Sequence, residues 1–129
     1  MASHPIVHIE IPAGDPQVLG QFYADVFGWK LDLDPTYNYL QFQAEGGPGG
    51  AFVKAGETMS GEYPAYEVGK PLLYIGTDDI DAALARVESR GGKVLLPKTE
   101  IPSVGWFSIF SDPTGNVMAL FAGMRPQAG

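Results

Sequence analysis

The chain has no cysteine, and that absence removes a disulfide framework, a thiolate nucleophile and a cysteine metal cage together. Bases are scarce as well. Eight Lys and Arg stand against fifteen Asp and Glu, a net charge of −7, so there is no basic stripe to follow a phosphate backbone and nucleic acid is not an expected partner. The acids are unevenly placed, nine against three bases in residues 1–70 and six against five in residues 71–129. Long apolar runs are missing too. Stretches such as Val117–Ala122 fall far short of the roughly 18 residues that a membrane helix requires, and the opening MASHPIVHIE lacks a secretory core. No membrane partner is expected, and a soluble, cytoplasmic chain follows. No Ser-His-Asp set is apparent, and the GGPGG of residues 46–50 follows no helical pattern and has no Lys-Ser or Lys-Thr with which to bind phosphate.

What the sequence does contain is a duplicated layout. Asp15 opens a helical run that Gly28 closes, and 64 residues later Asp79 opens one that Gly92 closes. In the first, Pro16 follows the capping aspartate, and Val18, Leu19, Phe22, Tyr23 and Val26 recur at helical spacing. In the second, Ile80, Ala83, Leu84 and Val87 make one apolar stripe. Ahead of each helix lies a strand: Ile6–Ile11, which alternates so that His8 and Glu10 share a face, and Leu72–Thr77. Three strands follow each helix, over 29–33, 37–42 and 51–54 in the first half and over 93–96, 106–111 and 117–121 in the second, the last two joined by an Asp-Pro-Thr-Gly turn.

The expected fold is therefore α+β: two tandem βαβββ units, about 6–55 and 72–122, forming curved mixed sheets around a cavity with the helices outside, all within one domain over 1–129. Residues 56–71 have no periodicity and read equally as a plain linker or as a lid that leans Tyr63 and Tyr66 over a cavity mouth. Tyr74 is symmetric with Glu10 and faces the cavity beside Leu72, while Val117, Ala119 and Phe121 share a face of the last strand. Trp106 and Phe107 point opposite ways, and Trp106 is assigned to the cavity wall. Tyr23, Phe27 and Trp29 read as helix packing against sheet.

The strand ending IPAGD, then FYADVFGW over 22–29, the Asp79–Gly92 helix and finally SDPTGNVMALF over 111–121 resemble the glyoxalase, bleomycin-resistance and extradiol-dioxygenase superfamily, the vicinal oxygen chelate fold. The likeness runs from about Ile6 to Phe121 and is nearest to the small bacterial glyoxalase-like proteins. In the metal enzymes of that superfamily, the first and last strands of each unit supply one ligand apiece, commonly His and Glu. The resemblance places those positions at His8, Phe52, Leu72 and Ala119. Only His8 carries a donor, and residues 46–56 hold no Asp, Glu or His in any register. No cofactor is expected, a divalent metal included.

Three functions fit this pattern. One is a glyoxalase-like small-molecule-binding protein with a degraded metal site, drug sequestration being one form of it. Another is an enzyme, a lyase, isomerase or dioxygenase type that either works without a metal on His8 and Glu10 as an acid and base pair, since two such groups on one strand face can exchange protons near neutral pH, or holds a metal with ligands borrowed from a partner chain. The third is an interaction module whose cavity has filled in. The expected ligand cavity is lined by His8, Glu10, Phe52, Leu72, Tyr74, Trp106, Ala119 and Phe121, and the family resemblance implies a homodimer.

Overall fold

The structure is a computed structural model that describes residues 3–58 and 64–124. Tyr63, one of the two tyrosines expected over a cavity mouth, lies outside them. The chain divides into two compact units, Val7–Leu73 and Tyr74–Gly129 with Met1–Ile6. Each is the expected βαβββ arrangement, α+β with one helix laid on one face of a mixed four-stranded sheet.

The N-terminal unit consists of β1 (Ile6–Ala13), α1 (Pro16–Phe27), β2 (Lys30–Asp34), β3 (Tyr39–Gln43) and β4 (Gly49–Lys54). Asp15 starts α1 as expected, its carboxylate accepting the backbone N–H groups of Gln17 and Val18, and Gly28 ends it in the left-handed conformation at φ 73°. The strands lie in the order β2-β3-β4-β1, antiparallel except for the parallel β1–β4 pair, in which Glu10 faces Ala51 and Ile11 faces Phe52. Gly50 belongs to that pairing rather than to a loose loop. A Cβ there would sit 1.8 Å from the Ile9 carbonyl oxygen, so only glycine fits. Leu40, Phe42 and Phe52 form the core beneath α1, joined by Ile9, Ile11, Leu19, Tyr23, Trp29 and Leu31. Trp29 stacks on Phe42 at 4.4 Å between ring centroids and on Tyr23 at 4.9 Å.

The apolar stripe of α1 is narrower than its sequence suggests. Leu19, the buried Gly20 and Tyr23 face the sheet, whereas Val18 (68% exposed), Phe22 (53%), Val26 (55%) and Phe27 (60%) do not. The cause is Gly20, where an added Cβ would lie 3.0 Å from Leu40 Cδ2 and 3.3 Å from Phe52 Cδ2. Its bare backbone lets the helix settle along that line, which turns Val18, Phe22 and Val26 outward. Phe27 keeps ring contacts with Tyr23 and Trp29 at the edge of the core.

The C-terminal unit is built from β5 (Leu72–Gly76), α2 (Ile80–Ser89), β6 (Lys93–Ile101), β7 (Gly105–Ser111) and β8 (Val117–Gly123). Asp79 caps α2 through the N–H of Ala82. The strand order is β5-β8-β7-β6, again with the first and last strands of the repeat parallel, Tyr74 opposite Ala119. Its helix-side core is Ile80, Leu84, Phe110 and Leu120. The β7–β8 turn is fastened by Asp112, whose Oδ1 accepts the N–H groups of Thr114, Gly115 and Asn116. The Asn116 side chain adds a further hydrogen bond and, with those backbone donors, holds the exposed Asp112 carboxyl below its ordinary value.

Candidate functional site

Strand alternation decides which side chains can form a site. In the N-terminal unit Ile9, Ile11, Leu40, Phe42 and Phe52 take the face covered by α1, so His8, Glu10, Tyr39, Gln41 and Ala51 take the other. Three of these polar side chains meet, joined by Tyr66 from the segment after β4. His8 Nε2 lies 2.7 Å from Tyr39 Oη, the Tyr39 hydroxyl donates a short hydrogen bond to Glu10 Oε2, and the Tyr66 hydroxyl donates to Glu10 Oε1 at 2.8 Å. Since the Tyr39 proton points to Glu10, its oxygen accepts from His8, which places the imidazole proton on Nε2. The His8 and Tyr39 rings are near parallel, 17° apart.

Glu10 is 3% exposed, whereas His8, Tyr39 and Tyr66 are half-buried. A carboxylate shut away from water requires donors, and the two phenols supply them. Burial holds the His8 pKa below its ordinary 6.5, so the ring is neutral at neutral pH. The Tyr39 phenol is pushed far above its ordinary value, by burial first and then by the Glu10 charge and hydrogen bond. Tyr39 is therefore a hydroxyl and not a phenolate at any physiological pH.

Tyr66 is brought to Glu10 by its own segment. The Gly56 N–H donates to the Tyr66 carbonyl and the Tyr66 N–H to the Glu57 carbonyl, and Thr58 bridges Ala65 in antiparallel fashion. The stretch after β4 thus folds back on itself and sets a tyrosine on the carboxylate. Sequence reasoning named Tyr66 for a lid and did not name Tyr39 for the site at all. The alternation of Tyr39–Gln43, with Leu40 and Phe42 on the helix side, was the available signal.

Two expected cavity residues are corrected. Phe52 lies in the core under α1, and the β4 residue on the Glu10 face is the fully buried Ala51. Trp106 packs against the helix-side core of the C-terminal unit, because its partner Ala122 is on that face; the residue turned the other way is Phe107. Trp106 lines a surface groove of about 430 Å³ with Thr77, Asp78, Ile80, Lys98 and Met124, and the Lys98 ammonium lies 5.1 Å from its ring centroid. Leu72, Tyr74 and Ala119 are buried and Phe121 half-buried, all on the side of their sheet away from Ile75 and Leu120 and thus away from α2.

The four positions at which the resemblance implies metal ligands do not fit a metal ion. Leu72, Ala119 and Phe52 carry no donor, nor does Ala51, which takes the face expected of Phe52. Both Glu10 oxygens are engaged by phenols, and among the described residues no three His, Cys, Asp or Glu converge in a group that could hold a metal.

The sequence profile of the Glyoxalase/Bleomycin resistance protein/Dioxygenase superfamily matches residues 5–120. The chain belongs to this superfamily. It is 30% identical over 128 residues to CFP32 of Mycobacterium tuberculosis, an alignment covering 91% of this chain and 45% of that protein. It is 34% identical over 115 residues to a glyoxylase-like domain-containing protein of Didymella fabae, covering 87% of this chain and 88% of that one. The chain thus spans under half the length of CFP32. Among solved structures, a superfamily member from Vibrio splendidus 12B01 superposes with a TM-score of 0.63 over 93% of this chain and 99% of its own, at 16% identity, a likeness of fold. Among the described residues no helix is long and apolar enough to cross a membrane.

Proposed function

We propose that the chain is a glyoxalase-like small-molecule-binding protein that works without the divalent metal of the superfamily's metal enzymes and holds its ligand at the His8–Tyr39–Glu10–Tyr66 cluster. One observation carries this reading: both oxygens of a buried carboxylate are satisfied by tyrosine hydroxyls, so a carboxylate that could have served a cation is committed to neutral donors. The half-buried His8, Tyr39 and Tyr66 keep this cluster partly in reach of solvent, and so of a ligand. Acidic charge disfavours nucleic acid as the partner. A second copy of the chain belongs to this reading as well, since Val18, Phe22 and Val26 form an exposed apolar line at four-residue spacing on α1, and so does a cytoplasmic location.

Calorimetric titration of the full chain with Mn²⁺, Ni²⁺ and Zn²⁺ tests the metal-free part. The expected result is no tight uptake, and a dissociation constant below about 1 μM for any of the three would overturn it. Thermal-shift screening against small oxygenated aromatics tests the binding part: a ligand that raises the melting temperature of the wild-type chain should not raise that of His8→Ala, whose own melting temperature stays near wild type. Light scattering reads the oligomeric state, expected to be a dimer.

A further inference from the structure

Strand register arranges in rows the face of the N-terminal sheet that α1 leaves uncovered. Glu10 on β1 stands opposite Ala51 on β4, Ala51 opposite Gln41 on β3, and Gln41 opposite Asp32 on β2. Two strand spacings, about 10 Å, separate Glu10 from Gln41, and the row between them holds only the Ala51 methyl group. Tyr39 precedes Gln41 by two residues, so both rise from β3 on that same face. The Tyr39 hydroxyl crosses the width of β4 to reach Glu10. Gln41 therefore borders the cluster.

Gln41 differs from its neighbours in one respect. It is half-buried, yet among the described residues nothing donates to or accepts from its side-chain amide. His8, Glu10, Tyr39 and Tyr66 hold one another, and Gln43, two residues further along the same face, is exposed and needs only water. An amide that has lost part of its hydration without gaining a protein partner keeps a donor and an acceptor for another molecule.

We infer that Gln41 is a specificity-determining residue of the site and that the ligand presents a carboxamide or lactam edge to it. This rests on the small-molecule reading above and gives it a ligand class. A primary amide carries its carbonyl oxygen and its NH₂ side by side in one plane, so a second amide turned to face it forms two hydrogen bonds, one in each direction. A carboxylate offers acceptors only, leaves the Gln41 oxygen unmatched, and meets the exposed Asp32 next in the row. An ammonium takes the oxygen and leaves the NH₂. A ketone makes one bond where the amide makes two. An aromatic body suits the His8, Tyr39 and Tyr66 rings on the same side.

The probes are benzamide and acetophenone, alike in ring and carbonyl and different in the NH₂ group. Calorimetric titration of the full chain should find benzamide bound at least about tenfold more tightly than acetophenone. Gln41→Leu should bind the two alike, at the acetophenone level, whereas Gln43→Leu, at an exposed amide on the same strand face, should keep the wild-type preference. Retention of the preference by Gln41→Leu would overturn the assignment of Gln41 and leave the binding reading standing. Equal affinity of wild type for the two probes, or binding of neither, would overturn the ligand class, whereas failure of the whole aromatic screen would overturn the binding reading. A second measurement needs no variant: in NMR spectra of the wild-type chain, benzamide should shift the Gln41 side-chain NH₂ signals and leave those of Gln43 in place. Unmoved Gln41 signals in the bound state would overturn the assignment.

Discussion

The two βαβββ units share a layout but differ on the sheet faces that their helices leave uncovered. In the N-terminal unit that face holds His8, Glu10 and Tyr39; at the equivalent β5 positions in the C-terminal unit stand Leu72 and Tyr74, with Ala119 and Phe121 beside them on β8. What the duplication has kept is punctuation: an aspartate cap on each helix, a glycine-containing stop after it, and a parallel pair between the first and last strands. What it has not kept is chemistry. Scaffold and site have separate physical requirements, so one half carries the polar cluster while the other supplies buried apolar surface.

The comparison can be broken most forcefully at Gly50. The registers of β1–β4 and β5–β8 make it the equivalent of Met118, which accepts a full side chain in the C-terminal unit. Gly50→Ala should cost about 3 kcal/mol or more, because its Cβ meets the Ile9 carbonyl, and should lower the urea midpoint accordingly. Next comes Glu10→Gln, which turns an amide NH₂ toward one of the two phenol donors. A loss of about 2 kcal/mol is expected in the same assay, whereas Tyr74, the equivalent residue, has no carboxylate to lose.

The shared features give smaller effects. Asp15→Ala and Asp79→Ala should each cost about 1 kcal/mol, and near-equal losses would sharpen the view that the caps are one device used twice. Ser108→Ala should move the other way. Its Oγ is fully buried with no hydrogen-bond partner among the described residues, so removal should gain a few tenths to about 1 kcal/mol, read as a higher melting temperature.

The gentlest test is pH. Because burial lowers the folded pKa of His8, the unfolded chain binds the proton more readily. Stability should be full above 6.5, fall as pH drops below it, and level off once pH is under the folded value. Urea midpoints of wild type and His8→Gln, compared across that range, isolate the contribution, and parallel profiles would refute it.

How much of this was legible follows from the distance over which each feature is decided. The caps at Asp15, Gly28 and Asp79, the DPTG turn and the alternation that pairs His8 with Glu10 are settled within a few residues, and the structure has them where the sequence put them, whereas α2 stops at Ser89 with Arg90 as its cap, short of Gly92. The faces of Phe52 and Trp106 were misread because each depends on register. Glycines on both sides of Pro48 give no alternation to count from, and adjacent Trp106 and Phe107 are both large enough for either face. The outward turn of Val18, Phe22 and Val26 depends on how closely α1 approaches β3 and β4 at Gly20, which spacing along the helix does not record. Tyr39 and Tyr66 reach Glu10 across 29 and 56 positions, and no local pattern announces such a meeting.

Glu10 also acts as a coincidence detector for the fold. Its two oxygens are claimed by tyrosines from separate stretches, one on β3 and one on the segment after β4, so the carboxylate keeps both phenol donors only when both stretches are home. Withdrawal of Tyr66 would take one of two phenol donors from a carboxyl group that is shut off from water. The tether on that segment is thus electrostatic rather than steric, and its grip is strongest where water is scarcest.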